Sequence, residues 1–309
     1  MAELIGYLLT IDAIITWGIA SLVYKSGLEK VDPKASLLFR LVMVSVATFL
    51  FSLLFGNYIF FSNLSSEENF NYLFFCFLSG FCVTIGDLMY FTSLRKIDAS
   101  RAYPLTQLSL VFVYPFAFLF FGEEITISIF LGGMLILSSV FILSTKDKTV
   151  LNGMDELEKS KEDLFIGVLL AIGTAFMWAL AIVTFHQARI IANDVFVTNF
   201  IRIFFATIFI AIVGIFQREY YAGFKKENRD DVKYYIFIGI AGSLSLGFAD
   251  SLFYKAAEIN GLVLTSTITA NTPMVQQVLS IAILKEKFRK RFLLAVFLII
   301  LGNYIILFI

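Results

Sequence analysis

Two aspartates, Asp87 and Asp250, lie 163 positions apart, each inside an apolar segment. An acid at membrane depth is costly unless it faces water or a partner, and such acids carry protons or bind cationic groups. Asp12, in the first apolar segment, is a third candidate for proton coupling; its repeat counterpart is Gly173. Arg40 and Arg202, 162 apart, stand near the starts of two further apolar segments. Each either snorkels to the headgroups or pairs with an acid or a solute carboxylate. Trp17 and Trp178, 161 apart, fall mid-segment, away from the interface where tryptophan concentrates. An indole at that depth packs between helices or lines a cavity with its N–H available.

The spacing of small residues says which way the acids point. Cys76, Gly80 and Thr84 recur every four residues, as do Gly239, Ser243 and Gly247. Small residues in that pattern make a ridge for close helix packing. Asp87 and Asp250 follow these ridges by three and are expected to face the bundle interior, with Tyr90 and Tyr254 on the same side. The alternative is a structural aspartate tethering a neighbouring helix. Gln107, Asn271, Gln276 and Gln277 place amides in the fourth and ninth apolar segments. They need hydrogen-bond partners there, either a wet pathway or another helix. Pro104 and Pro273 interrupt the backbone bonding of those two segments.

The elements that must carry these residues are apolar throughout. The chain has 309 residues, 59% apolar and 16% charged, with a mean hydropathy of +0.85. A soluble domain is about half apolar and a quarter charged. Runs long enough to span a bilayer fall near 4–24, 35–55, 70–94, 99–121 and 126–143. Five more fall near 164–186, 193–216, 232–257, 262–284 and 291–308. The pattern predicts an all-α membrane protein of ten transmembrane helices. Residues 144–163 form a charged linker between a first half (1–143) and a second half (164–309). Five helices per half would invert one half relative to the other around a central cavity.

Of 24 Lys and Arg residues, only Arg189 and Lys255 fall in the even-numbered connections. Apart from Arg40 and Arg202, the rest follow the first, third, fifth, seventh and ninth segments. The positive-inside rule then places both termini outside. The net charge of zero gives no basis for nucleic-acid binding. Cys76 and Cys82 read as apolar filler, and the single histidine, His186, as an interface residue. No catalytic triad, phosphate loop or metal-ligand cluster is present, so neither a cofactor nor a metal is expected. The N-terminal run lacks the features of a cleaved signal and reads as a retained helix.

With these features in place, the chain resembles the drug/metabolite transporter superfamily, specifically its ten-helix EamA-type members. The resemblance rests on the tandem halves, the mid-segment tryptophans, and LLFRLVMVSVATFLF and FIRIFFATIFIAIV with Arg40 and Arg202. It also rests on FLFFGEEIT, in which Glu123 matches the family glutamate. The second copy, SIAILKEKF, keeps Glu286 but has Lys285 in place of the glycine and lacks the threonine. Pro273 matches the family proline of the ninth helix; its first-half position is Leu110.

The resemblance implies inverted repeats and alternating-access movement of amino acids or similar metabolites, often outward, across the plasma membrane. It also implies termini in the cytoplasm, opposite to the charge pattern. The combined expectation is a secondary transporter working as a monomer, a dimer remaining compatible. Trp17, Asp87, Tyr90, Gln107, Trp178, Asp250, Tyr254 and Asn271 would contact the solute, and Asp12, Asp87 or Asp250 would carry any proton. The competing readings are an uncoupled facilitator or channel and, less favoured for want of a histidine or acid cluster, an intramembrane enzyme.

Overall fold

A computed structural model describes residues 2–97, 99–144, 154–225, 231–284 and 290–309. Every regular element among them is helical. The helices are α1 (Ala2–Leu28), α2 (Pro33–Phe55), the single turn α3 (Phe60–Asn63), α4 (Ser66–Lys96), α5 (Ala99–Thr106), α6 (Ser109–Phe121) and α7 (Ile127–Ser144). They continue with α8 (Met154–Ala192), α9 (Val195–Phe216), α10 (Val232–Gly242), α11 (Asp250–Asn260), α12 (Leu262–Thr269), α13 (Thr272–Leu284) and α14 (Lys290–Phe308). Seven helical stretches among the described residues are long and apolar enough to cross a membrane. Ile127–Ile142 and Leu293–Phe308 are shorter apolar helices. Phenylalanine, leucine and isoleucine cover much of the exterior, with Leu54 73% and Phe216 84% exposed. A continuous apolar exterior of this kind suits lipid and not water. The chain is an integral, multi-pass membrane protein.

Local sequence sets the helix ends. Asp32 accepts from the backbone N–H groups of Lys34 and Ala35, and Pro33 opens α2. Ser65 and Glu68 form a reciprocal capping box at α4. Asp194 accepts from Val197 N at 2.8 Å to start α9. α6 stops at Gly122, whose φ of +66° is open to glycine at little cost.

Two expectations about the elements are corrected, and one is refined. The charged segment ahead of the second half is partly helical: α8 already begins at Met154. Its charged opening is rich in Glu and Lys, which are good helix formers even where no apolar face is present. Residues 145–153 lie outside the described residues. The fourth apolar segment divides into α5 and α6 at Gln107–Leu108, and the ninth into α12 and α13 at Ala270–Asn271. Both breaks follow a threonine whose hydroxyl folds back onto the carbonyl three residues earlier, Thr106 onto Tyr103 and Thr269 onto Ser266. Pro273 sits just beyond the second break, but Pro104 lies inside α5. Finally, the small-residue ridge of the eighth segment is not a regular four-residue repeat. A π-helical stretch, Ser243–Ala249, separates α10 from α11.

The two halves interleave. α4 packs along α8 and α9, α2 along α9 and α10, and α1 along α10, α11 and α13. Where they cross most closely a glycine is required. A Cβ at Gly80 would run into the Arg202 carbonyl and the Ala206 N–H, and one at Gly242 into Arg40 and Val44. These backbone approaches bring Arg40 and Arg202 to the middle of the molecule.

Candidate functional site

Two buried ion pairs face each other across the centre. Arg40 on α2 donates to Asp87 on α4, with side chains 3% and 4% exposed. Arg202 on α9 donates to Asp250 on α11 at 2.6 Å, with side chains 1% and 15% exposed. Of the two alternatives for the arginines, pairing with an acid is the one adopted. Trp178 Nε1 donates to Asp87 Oδ1 at 3.1 Å, and Trp17 Nε1 donates to Asp250 Oδ1, also at 3.1 Å. Each pair therefore lies within one half of the chain, and its indole comes from the other half.

The guanidinium groups are also sandwiched. Arg40 lies over the rings of Tyr24 and Phe91, with centroid distances of 5.3 and 4.7 Å. Arg202 lies over Phe185 and Tyr254, at 4.8 and 5.6 Å. The aromatic faces offset part of the cost of holding a cation away from water. Each arginine with its aspartate is neutral as a unit, which is how a buried charge becomes tolerable. The arrangement can present carboxylate oxygens, guanidinium N–H groups and aromatic surface to one small molecule.

These groups border a hollow with an empty volume of about 990 Å³, part of it open to the outside. Trp17, Asp87, Tyr90, Gln107, Trp178, Asp250 and Tyr254 all line it. The Tyr90 hydroxyl is buried and has no partner among the described residues. Sequence reasoning missed Ser21, Tyr24, Tyr103, Ser245, Phe253 and Thr269, which also line the hollow. Ser21 and Tyr24 stand four and seven residues after Trp17, the spacing of one helix face, so that periodicity would have found them. Tyr103 likewise precedes Gln107 by one turn.

Two candidates lie elsewhere. Asn271 does not line the hollow; its amide pairs with that of Asn303 on α14, donating at 2.9 Å and accepting at 3.2 Å. The need for a partner at that depth is met by a neighbouring helix. Asp12 is exposed on the outer face of α1, among Leu8, Ile11 and Ile15. The buried side of α1 carries Thr10, Ala13, Ser21 and Tyr24, and Asp12 points away from it. Gln276 is buried beside Gly18 of α1.

Glu123 has a scaffold position. Its carboxylate accepts the backbone N–H groups of Leu262 and Val263 at 2.9 and 2.8 Å, capping the start of α12. Gly261 approaches it with φ +83°, which a side chain would strain. His186 is buried 4.0 Å from the same carboxylate and 3.4 Å from Arg189. Glu286, the second-half counterpart of Glu123, lies outside the described residues.

The model of the EamA-like transporter family matches residues 4–145 and again 165–308. The chain belongs to the EamA-like transporter family. An EamA-like chain thus consists of two copies of one unit, and the paired arginines, aspartates and tryptophans sit one set in each copy. A protein described as an uncharacterized transporter from Archaeoglobus fulgidus is 23% identical over 225 residues, covering 72% of this chain and 71% of its own. A protein of known crystal structure superposes with a TM-score of 0.70 at 16% identity, over 98% of this chain and 95% of that one. That likeness concerns the fold alone. Family and relative together make this EamA-like protein a membrane transporter, with a small solute as its cargo and the bilayer as its medium.

Proposed function

We propose that this protein is a secondary transporter that moves small amphipathic metabolites, amino acids first among them, out of the cell across the plasma membrane by alternating access. The observation that carries this reading is the central hollow with its two Arg–Asp pairs, each bound by the tryptophan of the opposite repeat. A net-neutral site with separated carboxylates, guanidinium groups and aromatic rings complements a zwitterion with an apolar body. Solute amine would be drawn to Asp87 or Asp250, solute carboxylate to Arg40 or Arg202. Tyr90, Tyr254, Gln107 and the two indoles would contact the remainder.

The repeats are read as inverted five-helix units crossing the membrane ten times in all, with the shorter and interrupted helices completing the count. The crossed indole bonds support alternation, because a shift of one repeat against the other disturbs both half-sites together. Proton coupling would run through Asp87 or Asp250 when its arginine is drawn off by solute.

The test is reconstitution in liposomes after a thermal-shift screen against the common amino acids, since a ligand raises apparent stability by mass action. The expected result is counterflow of a stabilising amino acid, with Asp87→Asn or Asp250→Asn abolishing flux driven by a pH gradient. Uptake without counterflow would favour the facilitator reading. Undiminished coupling in both mutants would remove the aspartates from the mechanism.

A further inference from the structure

The two half-sites match in their first contacts and differ in what stands behind them. Arg40 and Arg202 are 162 positions apart. Gly80 and Gly242 are also 162 apart, and their contacts correspond at the same offset: Gly80 against Arg202 and Ala206, Gly242 against Arg40 and Val44. Asp87 and Asp250 are 163 apart. The second repeat therefore holds one extra residue between Gly242 and Asp250. The π-helical stretch Ser243–Ala249 fills that interval. A π turn absorbs an added residue without changing the phase of the helix beyond it, so Asp250 still reaches Arg202. In the first repeat α4 runs through the same region as uninterrupted α-helix.

A π stretch disturbs the regular backbone ladder and leaves carbonyls to be satisfied by other donors. Asn199 on α9 supplies them. Its two amide N–H groups are shared among Leu246 O at 3.1 Å, Gly247 O at 2.8 Å and Ser251 Oγ at 3.0 Å. Its amide oxygen accepts from the same Arg202 nitrogen that holds Asp250, at 2.8 Å. Asn199 is fully buried. One side chain thus ties the extra turn to the ion pair. From the α1 side, Trp17 lies 3.4 Å from Ser245 O, and Tyr24 shares a 2.7 Å hydrogen bond with Ser245 Oγ. At the offset of 162, the first-repeat counterpart of Asn199 is Leu37, buried and apolar. Arg40 has Asp87, the rings of Tyr24 and Phe91 and the Tyr24 hydroxyl, but no amide in the place of Asn199.

We infer that Asn199 is a positioning residue that makes Asp250 the fixed half of the central site, leaving Asp87 as the half that releases its partners during the transport cycle. The division of labour rests on the transporter reading; the difference in restraint between the half-sites does not. In a chain with two identical half-sites either carboxylate could open. Here the buried Asn199 bonds resist opening on one side, and the other side, which lacks them, opens at lower cost.

The chain has only two tryptophans, and each indole N–H donates to a different one of the two carboxylates. Both tryptophans are half-buried. The protein, labelled with 15N-tryptophan and placed in lipid nanodiscs, gives two indole signals, assigned with Trp17→Phe and Trp178→Phe. Hydrogen–deuterium exchange of the two is then followed without any solute. The expected result is exchange at Trp178 about tenfold or more faster than at Trp17, since exchange reports local opening. Asn199→Leu, which copies the first repeat, is expected to bring Trp17 to within about threefold of Trp178 and to leave Trp178 unchanged. Ser251→Ala, a milder change, is expected to accelerate Trp17 part-way and serves if Asn199→Leu does not fold.

Equal rates in the native protein would overturn the inference, as would a Trp17 rate indifferent to both substitutions. Equal acceleration of both indoles would also overturn it, because that marks a generally loosened fold. Failure of every amino acid in the liposome assay would strike the proposed cargo and leave these exchange rates as they are.

Discussion

Arg40 with Asp87 and Arg202 with Asp250 occupy corresponding places and make corresponding first contacts: one carboxylate, two rings and one indole from across the molecule. Behind them the repeats part company. The second pair leans on an asparagine tied to a π turn, where the first repeat has Leu37 in the matching position and regular α-helix. Duplication sets the chemistry of a site such as this, and small later differences in the supporting residues set how firmly each copy is held. A single inserted residue suffices, provided the helix can take it up and a side chain can satisfy the carbonyls that the turn disturbs.

The contrast between the pairs is tested most directly by removing the carboxylates. Asp87→Ala leaves Arg40 buried without a counter-ion, and a loss of about 3–5 kcal/mol in unfolding free energy is expected. Asp250→Ala is expected to cost measurably less, because Asn199 still offers Arg202 an acceptor. Equal losses in detergent-solubilised unfolding would argue that Asn199 adds nothing to the pair. The indoles probe the same contrast. Trp17→Phe and Trp178→Phe each delete a hydrogen bond to a charged group, and each should cost about 1.5–3 kcal/mol, with Trp17→Phe the larger loss.

The glycine crossings come next. Gly80→Ala meets the Arg202 backbone and should destabilise by about 1–3 kcal/mol, whereas Gly242→Ala meets first the flexible stem of Arg40 and should cost less. Thermal unfolding of the two variants side by side would check the order. A control lies away from both pairs. Asn271→Ala removes one amide–amide pair, and a loss of about 0.6 kcal/mol with unaltered transport is expected. A large transport defect in that variant would return Asn271 to the site.

Much of this was legible in the sequence because repetition makes paired residues conspicuous. Aspartate, arginine and tryptophan recur at offsets of 161 to 163, and all six meet in the hollow or at its wall. The drift in the offset was visible too, but not where the extra residue falls; only the Gly80 and Gly242 contacts place it after Gly242. Asn199 escaped because its counterpart is Leu37, and a search for repeated polar residues passes over a position polar in one copy alone. Depth misled in the case of Asn271, since a polar residue in an apolar segment needs a partner but sequence distance does not say which. Asn303, 32 residues away, was that partner. Tyr90 and Tyr254 look equivalent by type, yet the ring matching Tyr254 over an arginine is Phe91.

The crossed indole bonds bear on how the chain is made. Asp87 is synthesised 91 residues before Trp178, the side chain that completes its hydrogen bonding. Asp250 finds Trp17 already waiting when it emerges. A ribosome delivering this chain to the insertion machinery therefore hands over a first ion pair short of one indole bond and a ready-made receptor for the second.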